Sequence, residues 1–494
     1  MPIVKELHIA PAARAEGDLD VQVWLRDGVV VRARARARLF AGLAKLMVGK
    51  TPAAALQIAP RICGVCGAAH QYAAAFALDA AQGARPPFQA LLVRGVGQLL
   101  ENLQSAPRWF YTQFAPDLLH PNFVGSPFFG EAGRRFAPYV GASYAAAMRA
   151  SSLATTLYGL LAGPWPGAAY MTPGGVQRLP ASASIAQARE LLSEFRREWL
   201  EKVWLGDAVD SYLSLGTWSG LRAWAERAQG DLAVFLRMGL SIGLDTMGQG
   251  LGRFLAMGSF AHPEKAHLAH PEATILPAGL FGAAGYEAFD PALLADYPPG
   301  LGAEAIYRKA PRYLGQPAEL GALARAVMQA NPANAPHQLR DPLFGDILQS
   351  AGASALVRAL ARMHEMVRLY ALLDTWLAQM EPDAPCQAPP TAPQDGQGFG
   401  ATEAARGALA HWVALEGGLI RDYQILPPTL WNTGPSDDLG TIGPYAAALL
   451  GTRVANPQQP VEISLVMRSF DTCLLSSVQV LEADTERAVA HFTY

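Results

Sequence analysis

The stretch Arg61-Ile62-Cys63-Gly64-Val65-Cys66, with His70 four residues further on, stands just ahead of an alanine-rich run of helical character. Two cysteines three apart place both sulfurs on one side of a turn, and the N-terminus of a following helix favours their thiolate form. Soft thiolates suit iron, nickel or zinc. The pair alone does not choose among them. Zinc needs two further ligands, and thiol–disulfide exchange belongs in a thioredoxin-like setting that the flanking sequence does not offer. A second stretch, Ser469-Phe470-Asp471-Thr472-Cys473, lies at the far end of the chain.

Working outward, 494 residues exceed the usual size of one core, so the chain holds two to four domains or one large fused unit. Half of it is hydrophobic (51%) and only 16% is charged, so much of it must be buried. A net charge of -3 gives no basic footprint for nucleic acid. No apolar run reaches the ~18 residues that span a bilayer, and Met1-Pro2-Ile3-Val4-Lys5-Glu6 does not read as a signal peptide. Four cysteines make no disulfide framework. Cys63 and Cys66 are too close to staple much, which favours metal or redox work in a reducing compartment, read here as the cytoplasm.

The pattern divides into an N-terminal hairpin region (1–60), a helical core (61–380) and a C-terminal α/β region (381–494). Val21, Val23 and Leu25 alternate with polar residues, Asp27-Gly28 supplies a turn, and Val31, Ala33, Ala35 and Ala37 alternate with Arg32, Arg34, Arg36 and Arg38, which predicts a β-hairpin over 18–39. The arginine row could bind an anion, but a solvated strand face is the simpler reading. Helices are predicted from 64, over 89–106 with Pro107 kinking or ending it, over 141–163, through 183–239 and over 350–380. Small residues such as Ala145, Ala146 and Ala147 would let helices approach closely. Residues 261–300 read as irregular with short strands, and His262, His267 and His270 there as surface histidines. Residues 381–398, with an incidental Cys386, read as a loop. Strands over 411–415 and 418–425, a helix near 442–450 and a last helix opened by Pro460, with Cys473 at its end, complete the chain.

The residues around the cysteine pair closely resemble the N-terminal metal motif of nickel–iron hydrogenase large subunits. Further ordered matches cover nearly the whole chain. They are Arg14-Ala15-Glu16-Gly17, Ala310-Pro311-Arg312-Tyr313, Gly321-Ala322-Leu323-Ala324-Arg325, Ala405-Arg406-Gly407, His411-Trp412, Tyr423-Gln424, Trp431-Asn432, Gly443-Pro444-Tyr445 and Pro460-Val461-Glu462-Ile463. The resemblance implies an α+β, predominantly helical fold, a long central bundle with small peripheral sheets and both cysteine motifs meeting in its middle. In that family four cysteines hold nickel, two of them also bridge to iron, and the iron carries one carbon monoxide and two cyanides. Carried over, Cys63, Cys66 and Cys473 are the metal-ligand candidates. Arg406, Thr429, Pro428 and His70 would line the iron unit, and Glu16, Asp117 and Asp471 match acidic positions around it.

The second motif departs from the family's Asp-Pro-Cys-x-x-Cys-x-x-His. Thr472 replaces the proline, Ser476 stands where a bridging cysteine belongs, and Gln479 stands where the histidine belongs. A neutral hydroxyl is a poor substitute for a soft bridging thiolate. The family's Phe-Arg-Gly-Ile-Glu reads Phe40-Ala41-Gly42-Leu43-Ala44, so the acid that shares a magnesium site with that histidine is also gone. Ala106 and Trp109 replace two histidines of a segment that faces the small subunit in the family. The length is short for catalytic members, and residues 480–494 resemble the extension that those members lose on maturation. This pattern resembles large-subunit-like accessory proteins of the HupK/HoxV type. It implies a non-catalytic scaffold that holds Fe(CN)2CO on Cys63 and Cys66, without nickel or magnesium, and works transiently with a HypC-type chaperone and an apo large subunit. A modified hydrogenase large subunit and a metal-free pseudo-subunit are the alternatives.

Overall fold

Apolar periodicity turns into helices stacked side by side. The computed structural model describes residues 17–39, 42–261, 274–297, 310–331, 340–389, 395–436, 440–473, 475–485 and 487–493. Glu16, the Arg14–Gly17 motif up to Glu16, and His262, His267 and His270 lie outside these. The helices that position the site are α1 (Gly67–Gln82), α2 (Phe88–Trp109), α3 (Tyr144–Ala162), α4 (Ser182–Glu194), α5 (Asp231–Ser241), α6 (Ala322–Ala330), α7 (Ala355–Ala378), α8 (Pro428–Asn432) and α9 (Val461–Ser469).

α2 is the axis. It is buried along almost its whole length and packs against α1, α3 and α7. The small residues that α3 buries include Ala147, Ala150 and Ala154, whereas Ala145 is exposed. Pro107 does not end α2. The helix carries it internally and widens into a π-helical stretch, Phe110–Phe114, where the Phe110 N–H reaches both the Ala106 and Pro107 carbonyls. The wider turn accommodates the donor that proline lacks. Among the described residues, no helix is long and apolar enough to cross a membrane.

The sheets are small and pack against the helices. β1 (Gly17–Arg26) and β2 (Val29–Leu39) form the expected antiparallel hairpin, with Asp27 and Gly28 both at positive φ in its turn. β3 (Phe254–Ala261) pairs with β4 (Thr274–Gly282). β5 (Gly396–Ala404), β6 (Gly407–Glu416) and β7 (Leu419–Leu426) form an antiparallel meander. β5 occupies part of the expected loop. Its alternate residues Gly396, Gly398 and Gly400 lie on α1, where an added Cβ would stand 2.2, 1.9 and 2.3 Å from the carbonyl oxygens of Ala81, Ala77 and Ala73. Glycine is therefore a packing requirement there, not a sign of a loop.

β8 (Leu475–Glu482) and β9 (Ala488–Thr493) form the tail. The residues that resemble the maturation extension fall largely in this pair. β8 inserts parallel to β1, with Asp18 opposite Leu475 and Leu25 opposite Glu482, so the sheet runs β9-β8-β1-β2. The tail is thus built into the fold, and Val480 is fully buried.

Candidate metal centre

The first motif is set by a tight approach of backbones. Cys66 caps α1, and Gly67 opens it where a Cβ would lie 2.4 Å from the Pro60 oxygen and 2.8 Å from the Pro166 oxygen. Glu101 of α2 receives the Ala68 and Ala69 N–H groups at 2.9 and 3.1 Å and the Trp165 indole N–H at 3.0 Å. A carboxylate at a helix N-terminus satisfies donors that have no partner within the helix. Burial pushes the Glu101 carboxyl up to about 7, against these donors and the charge of Arg406.

The second motif arrives from the other end. After α9 the chain turns through Asp471, which takes a left-handed backbone (φ 49°). Asp is among the few residues that tolerate it. The turn brings the Cys473 sulfur 3.9 Å from that of Cys63, and the sulfurs of Cys63, Cys66 and Cys473 all lie within 4.8 Å of one another. Cys63 is buried, and Cys66 and Cys473 are half-buried. The Cys63 and Cys66 sulfurs are paired as a disulfide. Paired, they do not ligate. Reduced, they present two thiolates to the same point as Cys473. Cys473, expected at the end of α9, lies four residues beyond Ser469.

Around the sulfurs stands a compact set of charges. Asp471 forms ion pairs with Arg362 and, at 3.2 Å, with Arg406. Arg362 also donates to the Ser105 hydroxyl at 2.9 Å and lies over the Trp109 ring. Burial and the neighbouring Arg406 hold its guanidinium down to about 10, despite Asp471. Thr429 at the start of α8, after the buried Pro428, accepts the Cys473 N–H at 3.4 Å. Arg406, Thr429 and Asp471 thus converge on the segment that carries Cys473, with the buried Pro428 next to Thr429 in sequence.

Other expected residues go elsewhere. Asp117 pairs with Arg468 at 2.8 Å and receives the Ser464 hydroxyl, so it braces α9 instead of facing the sulfurs. His70 turns its Nδ1 to His411 Nε2 at 3.1 Å, and His411 Nδ1 meets the Tyr423 hydroxyl at 2.7 Å. Burial drives the His70 imidazole down to about 3 and that of His411 well below its usual range, so both are neutral. The backbone of Ser476 pairs opposite Leu19 in β8, and Gln479 accepts a hydrogen bond from Gln22 at 2.9 Å. Sequence reasoning missed Glu101 and Arg362. Their signal was a charge inside an apolar helix: Glu101 among Leu99, Leu100 and Leu103, and Arg358 with Arg362 one turn apart in α7.

The donor set is soft sulfur beside guanidinium. Once reduced, it suits soft or borderline metals such as iron, nickel or zinc better than a hard, oxygen-seeking cation such as magnesium.

Comparison with known proteins agrees with this geometry. The family profile described as nickel-dependent hydrogenase matches residues 41–122 and 302–479, which include all three cysteines. The periplasmic [NiFeSe] hydrogenase large subunit of Desulfomicrobium baculatum is 28% identical, over 97% of this chain and 96% of its own length. This chain therefore matches that relative over nearly the whole length of both. The uptake hydrogenase large subunit of Azotobacter chroococcum mcd 1 is 50% identical, over 19% of this chain and 16% of its own length. The H2-activated [NiFeSe] hydrogenase structure from Dm. baculatum superposes with a TM-score of 0.76 at 25% identity, covering 93% of this chain and 96% of that one. The Ni-Fe-Se hydrogenase from D. vulgaris Hildenborough in the reduced state gives 0.74 at 26% identity, covering 94% and 97%. The fold is that of a hydrogenase large subunit, and with its profile spanning both cysteine motifs the chain belongs to the nickel-dependent hydrogenase family.

Proposed function

We propose that this protein is an assembly carrier that holds an Fe(CN)2CO unit as cargo and passes it to a catalytic large subunit, without turning over hydrogen. The observation that carries the reading is the three-sulfur cluster of Cys63, Cys66 and Cys473, with serine at the position of a fourth ligand. Nickel loses one of four sulfurs, and its bridge to iron is halved.

The charges suit that cargo. Iron(II) with two cyanides and two thiolates carries a formal charge of about -2, and burying it calls for fixed cations and donors. Arg406 and Arg362 supply both, and Arg406 donates to a cyanide nitrogen in this reading. Two half-buried sulfurs leave the cargo a way out. The donor is a HypC-type chaperone and the acceptor an apo large subunit, both bound transiently in the cytoplasm.

The competing reading, a modified large subunit with a nickel–iron site, draws on the near full-length match to a [NiFeSe] large subunit. A metal-free pseudo-subunit would have no use for the convergent sulfurs. Infrared spectra and elemental analysis of the purified protein separate the three. The carrier shows cyanide and carbon monoxide bands with iron and no nickel. About one nickel per chain together with hydrogen uptake overturns it, and a metal-free protein without bands favours the pseudo-subunit.

A further inference from the structure

Arg325, on α6, is buried almost completely and donates all five of its N–H bonds, none of them to the three cysteines. Its Nε and Nη2 grip both oxygens of Glu365, and its Nη1 reaches Glu403 at 3.1 Å. The remaining N–H bonds of Nη1 and Nη2 go to the carbonyl oxygens of Ala404 at 3.0 Å and Ala405 at 3.2 Å. These are the two peptides that lead into Arg406. The turn is closed on its other side by Gly407, at φ 127°, where a Cβ would stand 2.8 Å from the Gly321 nitrogen and 2.9 Å from Leu320 Cβ. Its foundation is tied down as well. Gln98 and Asn102 of α2 donate to the Glu403 carbonyl at 2.8 and 2.9 Å, and the Glu403 carboxylate accepts the Met257 N–H at 2.8 Å.

We propose that Arg325 is the positioning residue for Arg406: it fixes the Ala404–Gly407 turn so that the Arg406 guanidinium is held against Asp471, two residues before Cys473. Only the planar five-donor fork of arginine serves two carboxylates and two carbonyls at once, and lysine offers three donors from one atom. Loss of the fork leaves buried carbonyls without donors and frees the turn to relax. The effect on cargo rests on the carrier reading above. The effect on the Arg406–Asp471 contact does not.

The test compares the full-length wild type, Arg325→Lys and Glu365→Gln, each loaded with the iron unit, by infrared spectroscopy alongside iron content and thermal midpoint. Arg325→Lys should shift and broaden both cyanide bands more than the carbon monoxide band, with iron retained. Glu365→Gln should do the same to a smaller extent. Wild-type cyanide bands in both variants, with only a lowered thermal midpoint, would overturn the proposal and leave Arg325 as a fold-stabilising residue. If Arg325→Lys does not fold, Glu365→Gln decides alone. If the wild type itself shows no cyanide bands, the carrier reading fails, and crystal structures of the cargo-free wild type and Glu365→Gln decide instead. Loss of the 3.2 Å contact between Arg406 Nη2 and Asp471 Oδ1 in the variant supports the positioning role, and its retention overturns it.

Discussion

Removing the charge of Asp471 while keeping its shape tests the electrostatic design directly. In Asp471→Asn the two guanidiniums of Arg362 and Arg406, whose side chains are 7% and 10% exposed, lose their shared anion. Taking one partner from a buried ion pair costs about 3–5 kcal/mol. The asparagine oxygen still accepts one hydrogen bond from a charged donor, worth about 1.5 kcal/mol at the low end, which sets the expected loss at about 1.5–3.5 kcal/mol. Asparagine tolerates the left-handed backbone at φ 49°, so the substitution adds little strain. Asp471→Ala loses that tolerance and should be worse by a further ~1 kcal/mol. Urea-dependent hydrogen exchange of peptides covering α9 is the suitable assay, because a chain of this length does not unfold in one step and a local opening energy is required. The carrier reading adds a second expectation. Loading the dianionic unit should restore part of the deficit, because both guanidiniums then face a new anion. An Asp471→Asn protein within ~0.5 kcal/mol of wild type at α9 would refute the argument, since surface substitutions commonly fall in that range.

Other expectations are briefer. Cys63→Ala or Cys66→Ala should abolish the cyanide and carbon monoxide bands, whereas Cys386→Ala, far from the sulfur cluster in sequence and outside it, should leave them unchanged. Arg406→Leu should shift or weaken the cyanide bands more than the carbon monoxide band, and an identical infrared spectrum would mean that its guanidinium serves the fold alone. Glu101 gives a pH dependence. Its folded carboxyl sits at about 7 against an ordinary value of 4.5, so the fold favours the protonated form, and that contribution is full below pH ~4.5 and lost as pH rises through ~7. Local opening energies of peptides covering α1, from hydrogen exchange of wild type and Glu101→Gln, should therefore move in favour of the variant between pH 5 and pH 8, and a pH-independent gap would remove the assignment. Mass spectrometry of the protein from its native host should find residues 480–494 still attached, and a chain ending near Gln479 would mean processing like that of a working hydrogenase.

Much of the bundle was legible because burial writes its period into the sequence. Leu91, Leu92, Leu99, Leu100 and Leu103 announced α2, and Val21, Val23 and Leu25 announced β1. β5 was not legible. Its alternating glycines obey a constraint imposed by α1, which is distant in sequence, and locally they look like a loop. The same holds for the tail, whose parallel pairing with β1 joins residues separated by most of the chain. At the site, the cysteines and Asp471 were found because their spacing repeats a motif. Asp117 shows the limit of that method. A loose local match placed it near the metal, whereas its partner is Arg468. Arg362, Glu101 and Arg325 carry no motif. Each is a charge buried among apolar neighbours, whose partners come from other helices and strands and appear only once those pack.

The pairing of β1 with β8 and the meeting of Cys63 with Cys473, 410 residues apart, give the centre a timetable. At roughly 5–20 residues per second, the first motif leaves the ribosome on the order of 20 to 80 s before the second. Through that interval β1 has one unsatisfied edge, and such edges invite pairing with other chains. The three-sulfur cluster is therefore among the last features the chain completes. On the carrier reading, a unit held by all three sulfurs would therefore be loaded only after the tail strand has closed the sheet.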